Sequence, residues 1–278
     1  ALNACCSEVH YYQRRQLKHL LLHSLPYIVA TRRSESLVQR LLQDEDPILF
    51  EGLHCCAALA DPRLSGRTKV VRMHNIEHDY YAALALTEKN YFRRKYFEQE
   101  SRKLRAFEPV LRRANAIAAI SPADTADLST RYQPVHNVLA FHPHRQANPL
   151  PGTGDYALYH GSLSVGENNR AALYLVHEVF AKSKVKFIVA GNGASAELRQ
   201  AMRRYDHLEL RENIPTEEIY DLIREAQVNI LPTFQATGIK LKLLSALYTG
   251  RHCLVNSPMV AGTGEAPSPP PAAGVFED

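Results

Sequence analysis

The chain has 278 residues, enough for one large or two ordinary domains, and its 45% apolar content predicts a sizeable core. Its formal net charge of +4 slightly favours anionic substrates or a membrane surface, but it is too mild for a protein that coats nucleic acid. The five cysteines form no Cys-x-x-Cys, so we expect reduced thiols and a cytoplasmic protein. No signal peptide is visible, and no apolar stretch approaches the roughly 18 residues of a membrane span. We therefore expect a soluble protein, peripheral to a membrane at most.

The first half of the chain predicts alternating strands and helices. We predict strands at residues 47–52, 69–75 and 116–120, and helices at residues 35–43 and 88–113. After the third strand, Ser121 and Pro122 have the features of a helix N-cap and a first helical residue. This alternation indicates a parallel sheet with helices on both faces.

A Pro- and Gly-rich segment at residues 142–155 interrupts this rhythm and is the best linker candidate. We therefore divide the chain into an N-terminal domain of residues 1–145 and a C-terminal domain of residues 146–278. The sequence of the second domain predicts another alternating series of strands and helices. We therefore expect an α/β fold with two Rossmann-like, doubly wound domains. Residues 1–34 show no clear opening strand, and residues 261–278 show neither a helix nor a strand period. We expect an incomplete N-terminal domain and a truncated C-terminus.

The stretch TFQATGIKLKLLSALYTG, residues 233–250, places two lysines at the start of a helix that we predict over residues 239–249. A helix N-terminus carries about half a positive charge, so lysines there are unfavourable unless an anion lies in front of them. On this helix Gly238, Lys242 and Ser245 share one face, whereas Lys240 points roughly the other way. The arrangement is typical of a phosphate site. Two solvated surface lysines are the alternative.

Three stretches, TGIKLKLLSALYTGRHCLVN, LYHGSLSVGENNRAAL and FIVAGNG, resemble the donor half of retaining GT-B glycosyltransferases of the group 1, GT4-like type. VVRMHNIEHDYY, the long basic helix after it and ANAIAAISPAD resemble the acceptor half. The resemblance covers roughly residues 35–260. It implies a metal-independent, retaining transfer of a sugar from a nucleotide-sugar to a glycan or lipid-linked acceptor, in cell-surface polysaccharide biosynthesis.

The resemblance also implies roles for individual residues. Lys242 would neutralise the nucleotide diphosphate with the amides of Gly238 and Ile239 behind it, and His74 would be the catalytic histidine that faces acceptor and sugar. The other donor-binding positions would be Gly161, Ser162, Gly191, Gly193, Ile214 and Ser245. Ser245 replaces a glutamate that binds the donor ribose in the family, and the family's N-terminal glycine-rich loop is missing.

The chemistry also fits the residues by themselves. A sugar nucleotide leaves as a diphosphate, and fixed cations and helix dipoles lower the barrier by stabilising the developing charge. No Asp-x-Asp motif follows a strand, so we expect no metal, and no cofactor besides the donor substrate. His74 and His78 lie four residues apart in HNIEH, and we weigh an acceptor-site histidine against a zinc site and a structural role.

Two further alternatives stay open. The basic residues of the long helix, Arg93, Arg94, Lys95, Arg102 and Lys103, form either a solvated face or a peripheral contact with anionic lipid at the inner face of the plasma membrane. The missing glycine-rich loop and Ser245 favour a second function, a catalytically inactive GT-B-like module for nucleotide binding or protein interaction.

Overall fold

The computed structural model describes residues 5–15, 23–88, 90–144, 146–234 and 240–260, and the backbone of residues 273–276. The chain divides into two compact units, the first built mainly from residues up to Val138 and the second mainly from Leu139 onward. Each unit has its own parallel sheet and its own apolar core. These features confirm the predicted α/β fold class.

The first unit is built on four parallel strands in the order β1–β2–β3–β4. The strands are β1 (Ile48–Glu51), β2 (Lys69–Met73), β3 (Ala116–Ala119) and β4 (Val135–Asn137). The helices are α1 (Tyr27–Ala30), α2 (Glu35–Leu41), α3 (Glu77–Thr87), α4 (Tyr91–Phe107) and α5 (Pro122–Ser129). Short 3-10 helices cover Leu53–Ala58, Pro62–Leu64 and Glu108–Arg113.

Local sequence explains where these elements begin and end. The side chains of Ser34 and Asn90 accept hydrogen bonds from backbone N–H groups in the first turns of α2 and α4, as N-cap residues do. The long helix predicted over residues 88–113 is shorter, because α4 ends at Phe107 and a 3-10 helix with Pro109 in its first turn follows. Proline lacks the N–H that a continuing α-helix requires.

The second unit contains six parallel strands in the order β10–β9–β8–β5–β6–β7. The strands are β5 (Ala157–His160), β6 (Phe187–Gly191), β7 (Leu208–Glu212), β8 (Val228–Ile230), β9 (Cys253–Asn256) and β10 (Ala273–Phe276). The α-helices are α6 (Gly166–Tyr174), α7 (Ala196–Met202), α8 (Thr216–Glu225), α9 (Leu241–Thr249) and α10 (Ser257–Val260). A π-turn at Leu175–Val179 and a 3-10 turn at Phe180–Lys182 extend α6.

Strand β10 differs from the prediction, which gave residues 261–278 neither a helix nor a strand. Its backbone pairs in parallel with β9, from Ala273 opposite Cys253 to Phe276 opposite Asn256. Hydrogen bonds to a neighbouring strand satisfy the backbone whatever the side-chain period, which is why periodicity missed this strand.

The chain reverses its winding direction at β5. From β5 it continues to β6 and β7 on one side, and then crosses to β8 and β9 on the other. Every residue of β5 and β6 is buried, so these central strands fix the position of the loops that follow them. In sheets of this type, ligands bind at the carboxyl ends of the strands where the direction reverses.

Candidate functional site

The carboxyl ends of β5 and β6 lie so close together that glycine is required. A Cβ atom on Gly191 would lie 1.8 Å from the carbonyl oxygen of Gly161, far inside van der Waals contact. Gly193 has φ +75°, and a Cβ there would lie 2.8 Å from Cβ of Ser164. The backbone N–H of Ser164 also donates to the carbonyl of Asn192 at 3.0 Å. The two loops therefore form one continuous backbone surface at the edge of the sheet.

Two consecutive amides in the first turns of α6 hold these loops in place. Asn168 Nδ2 donates to the carbonyl of Ser162 at 3.0 Å, in the loop after β5. Asn169 Oδ1 accepts from the backbone N–H of Ser195 at 3.2 Å, at the start of α7. The Asn168–Asn169 pair thus connects both loops to one helix.

Lys242, in the first turn of α9, reaches the same place. Its Nζ donates to Asn168 Oδ1 at 2.9 Å and to the hydroxyl of Tyr159 at 3.2 Å. The ammonium also lies 4.8 Å from the centroid of the Tyr159 ring, within cation–π range. We call Tyr159, Asn168 and Lys242 the lysine cluster. The structure thus brings Lys242 together with Gly161 and Ser162 through Asn168.

Burial weakens the positive charge of the lysine cluster. Partial removal from water lowers the pKa of Lys242 to about 8, whereas the nearby Glu167 carboxylate acts in the opposite direction and Lys240 adds to the lowering. Glu167 is itself buried, with its carboxylate 3.8 Å from the ammonium of Lys240. Two lysines therefore share one carboxylate, which leaves an excess of positive charge.

A buried histidine completes the edge of β5. His160 is 4% exposed, and burial lowers its pKa to about 3, with the charge of Lys242 acting in the same direction. Its ring is therefore neutral. Within the described residues, His160 Nε2 has no hydrogen-bond partner.

The start of α9 differs from the prediction. The helix begins at Leu241 rather than at residue 239, and Lys240 precedes it as the N-cap residue. Lys240 does not point away from Lys242, because both ammonium groups interact with Glu167. The side chain of Lys240 makes no capping hydrogen bond, so it does not satisfy the N–H groups of the first turn.

The structure does not place the remaining predicted donor-side residues in the lysine cluster. The Ser245 hydroxyl donates to the carbonyl of Leu241 at 3.5 Å, within its own helix, and is not part of the lysine cluster. Ile214 is half-buried and packs on the apolar core of the second unit. Gly238 and Ile239 lie outside the described residues.

An aromatic side chain lies after β8 on the same unit. The Arg170 guanidinium lies 4.5 Å from the centroid of the Phe234 ring, and Tyr174 meets that ring edge-on at 5.5 Å. Arg170 follows the amide pair directly in sequence, so α6 also places a cation against the segment after β8.

In the first unit, His74 follows the carboxyl end of β2 and is paired with an acid. Its Nε2 lies 2.7 Å from Oε2 of Glu51, the last residue of β1. The ring of His54 lies 6.5 Å from that of His74, centroid to centroid. Hydrogen bonding to Cys55 and to Glu77 raises the pKa of His54 to about 9. The ends of β1 and β2 therefore carry a compact polar group.

The two histidines of HNIEH do not act as a pair. His78 is buried and contacts Asp79 at 2.9 Å and Glu108 at 3.2 Å, whereas His74 contacts Glu51. Among the described residues, no three His, Cys, Asp or Glu side chains are grouped to hold a metal ion. His74 and His78 therefore contact different carboxylates.

The sequence interpretation missed the partners of its two main residues. Asn168, Tyr159 and Glu167 surround Lys242, and Glu51 pairs with His74. The sequence does contain a signal for the role of Asn168 and Asn169. Two adjacent amide side chains at the start of a helix, just after a Gly-Ser turn, are well placed to hydrogen-bond the neighbouring loops. For Glu51 the only signal in the sequence was its position at the end of a predicted strand.

The comparisons with known proteins agree with this architecture. No protein-family model matches the sequence. An uncharacterized 44.6 kDa protein in the cps region of Klebsiella pneumoniae is 25% identical over 279 residues, which cover 95% of this chain and 71% of the relative.

Solved structures match the fold at low sequence identity. TarM superposes with a TM-score of 0.56 at 11% identity, over 80% of this chain and 43% of TarM. The UDP-forming α,α-trehalose-phosphate synthase of Burkholderia vietnamiensis gives a TM-score of 0.57 at 9% identity, over 89% of this chain and 67% of the synthase. The chain spans less than half the length of TarM. Both proteins are GT-B glycosyltransferases, and this chain therefore has the GT-B fold, with its two Rossmann-like domains.

Proposed function

We propose that this protein transfers a sugar from a nucleotide-diphosphate sugar to a glycan or lipid-linked acceptor, with retention and without a metal, in cell-surface polysaccharide biosynthesis. The lysine cluster carries the proposal. It holds one ammonium group at the start of α9, beside the carboxyl end of β5, where the direction of the sheet reverses. A diphosphate is the ligand that fits a cation, a helix N-terminus and a glycine-lined edge together.

The similar proteins support a nucleotide-sugar donor and a polysaccharide product. One TarM structure was solved with UDP and α-GlcNAc-glycerol, and the trehalose-phosphate synthase is described as UDP-forming. The Klebsiella relative lies in a cps region, a capsule region. These associations favour a nucleotide-sugar donor and a surface polysaccharide as the product.

On the donor side, Lys242 would stabilise the negative charge that develops on the leaving diphosphate. The hydrogen bonds that the ammonium donates to Asn168 and Tyr159 hold it in place before the sugar donor arrives, so little reorganisation is needed during the reaction. The N-terminus of α9 adds partial positive charge in the same direction. We expect these charges to stabilise the diphosphate without a metal ion.

On the acceptor side, His74 would bind a hydroxyl group of the acceptor or of the sugar. If its Nε2 donates to Glu51, Nδ1 is left unprotonated and able to accept a hydrogen bond. Glu51 would then be a positioning residue that fixes the ring and its tautomer.

A peripheral membrane contact is part of the proposal for a lipid-linked acceptor, with the reaction at the cytoplasmic face. At the start of α4, Phe92 is 82% exposed and Tyr91 56% exposed, followed directly by the exposed side chains of Arg93, Arg94 and Lys95. Aromatic and basic side chains together are typical of binding to an anionic bilayer surface. Among the described residues, no helix combines the length and apolarity needed to cross a membrane.

A thermal-shift screen of UDP- and GDP-sugars, followed by a transfer assay with the stabilising donor, tests the proposal. We expect one nucleotide-sugar family to raise the melting temperature, since a ligand of the native state stabilises it. Transfer should continue in EDTA, and NMR of the product should show the anomeric configuration of the donor. Absence of any shift across the whole screen would contradict the donor site.

The second candidate is a catalytically inactive nucleotide-binding or interaction module. The observation that favours it is Ser245, whose hydroxyl returns to Leu241 O and which brings no carboxylate to a position where the family has one. Tight nucleotide binding without turnover or donor hydrolysis would identify this alternative. Measurable transfer would exclude it.

A further inference from the structure

The first unit contains a cavity of about 290 Å³ beside the 3-10 helix that follows β1. The segment before α2 forms one wall, and the 3-10 helix Leu53–Ala58 forms another. Its polar lining includes Arg15, His23, Arg32, Arg33, Ser34 and Cys55, together with two carboxylates, Glu35 and Asp61. The volume suits a small polar group rather than a long chain.

Three guanidinium groups line this cavity without an acidic partner. Within the described residues, no ion pair joins Arg15, Arg32 or Arg33 to a carboxylate, and the side chain of Arg32 donates to the backbone carbonyl of Ile28 at 2.7 Å. Burial lowers the pKa of Arg32 and the nearby charge of Arg14 acts in the same direction, whereas Cys55, Tyr81 and Glu77 act in the opposite direction. The protein thus holds like charges together at a cost that an anion would offset.

The two carboxylates at the rim are already occupied. Glu35 and Asp61 also line the cavity, but both bind the guanidinium of Arg63, at 2.6 Å and 2.8 Å. One arginine between two carboxylates leaves one negative charge, against the three guanidinium groups of the lining. The net charge of the cavity is therefore positive.

The cavity adjoins the polar group that contains His74. Cys55 lines the cavity, and its neighbour in sequence is His54, whose ring lies 6.5 Å from that of His74. A ligand anchored in the cavity would hold its next few atoms close to these rings.

We propose that this cavity binds the phosphate group of a phosphorylated acceptor and so positions the acceptor near His74. Guanidinium groups present several donors in a plane and match the oxygens of a phosphate, which explains a concentration of arginine rather than lysine. The acceptor role depends on the proposed glycosyl transfer, whereas phosphate binding by the cavity does not. The same headgroup chemistry occurs in soluble phosphomonoesters and in lipids.

Calorimetric titration with glycerol 1-phosphate, with glycerol as the uncharged control, tests the site. We expect binding by the wild type, and at least tenfold weaker binding by Arg32→Gln and by Arg33→Gln. Arg33 is exposed, so its variant stays informative if replacement of the half-buried Arg32 prevents folding. Arg113→Gln is the matched control, because Arg113 is an exposed arginine of the same unit outside the cavity.

Vesicles distinguish the two sources of phosphate. Co-sedimentation with phosphatidic acid vesicles, compared with phosphatidylcholine vesicles, should lose affinity in the same two variants if a lipid headgroup enters the cavity. Equal binding of both probes by wild type, Arg32→Gln and Arg33→Gln, or binding of neither probe, would overturn the proposal. UDP should bind equally well to the wild type and to all variants. If the wild type does not bind UDP at all, that result would count against the glycosyl-transfer proposal alone.

Discussion

Lys242 Nζ donates a hydrogen bond of 2.9 Å to Asn168 Oδ1, and this bond joins the first turn of α9 to the first turn of α6. The oxygen that accepts it also receives the Tyr159 hydroxyl at 3.3 Å. Asn168 therefore fixes a cation at the start of a helix, where the helix dipole alone would repel it. The predictions on the donor side follow from this contact.

Replacing Lys242 with alanine removes the only ammonium of the lysine cluster. We expect the affinity for UDP or GDP to fall at least tenfold, or on the order of 1.4 kcal/mol. Calorimetric titration measures the change, and Lys184→Ala, which removes an exposed lysine of the same unit, is the control. Unchanged affinity in Lys242→Ala would show that the diphosphate binds elsewhere.

Changing Asn168 to aspartate introduces a carboxylate beside the Lys242 ammonium. The new charge pairs with Lys242 and repels an incoming diphosphate, so nucleotide affinity should fall more in Asn168→Asp than in Asn168→Ala. The comparison uses the same titration, with Asn137→Asp, at an exposed position of β4, as the control. A larger loss in Asn168→Ala would mean that the amide acts only through packing.

The lowered pKa of Lys242 predicts that nucleotide binding depends on pH. At pH 7 and below the ammonium is protonated both before and after binding, so the affinity should be constant there and should begin to fall as the pH approaches 8. A bound diphosphate raises the pKa of Lys242, so binding takes up a proton above pH 8, and affinity should fall by up to about tenfold per pH unit. Calorimetry in buffers of different ionisation enthalpy measures the proton uptake. Arginine stays charged throughout, so Lys242→Arg should abolish this dependence, and a dependence that persists would assign it to another group.

On the acceptor side, His74→Ala should lower the rate of sugar transfer by at least about 100-fold, the scale of a lost general acid–base group, with nucleotide affinity unchanged. Glu51→Gln keeps a hydrogen-bonding partner but removes its charge, so we expect a smaller loss and a shifted pH profile. A steady-state transfer assay measures both variants, and His136→Ala, at an exposed position of β4, is the control. Full turnover by His74→Ala would exclude His74 from the mechanism.

Gly191→Ala should destabilise the second unit, because the new methyl group would lie 1.8 Å from the carbonyl oxygen of Gly161. The carbonyl oxygen belongs to the backbone and the new Cβ is bonded to it directly, so neither atom can move away by rotating a side chain. We therefore expect the free energy of unfolding to fall by about 2 kcal/mol or more. Gly166→Ala is the control, because a Cβ there meets no atom within 4 Å. Urea unfolding measures both variants, and equal stability would show that the two loops separate easily.

Periodicity and turn residues predicted the alternation of strands and helices well, since buried strands such as β5 and β6 appear as short apolar runs that end in glycine. The same reasoning could not place β10, whose pairing with β9 depends on the backbone of a distant segment. It also started α9 two residues too early, and for that reason assigned Lys240 to the wrong side.

The candidate site was predicted only in part, for a related reason. Lys242 and the glycines are visible as local signals, a cation at a helix start and turns that close strands. Their partners lie far away in sequence, and helical spacing carries no information about which side chain of α6 meets α9. The pairing of Glu51 with His74 depends in the same way on two neighbouring strands, β1 and β2.

The bond between Asn168 and Lys242 connects residues 74 apart in the chain. Strands β6, β7 and β8 lie between these two residues in the chain, so the ammonium and its acceptor meet only when the second unit is folded. An unfolded chain therefore has no diphosphate site. A nucleotide that binds only the folded unit would raise its free energy of unfolding.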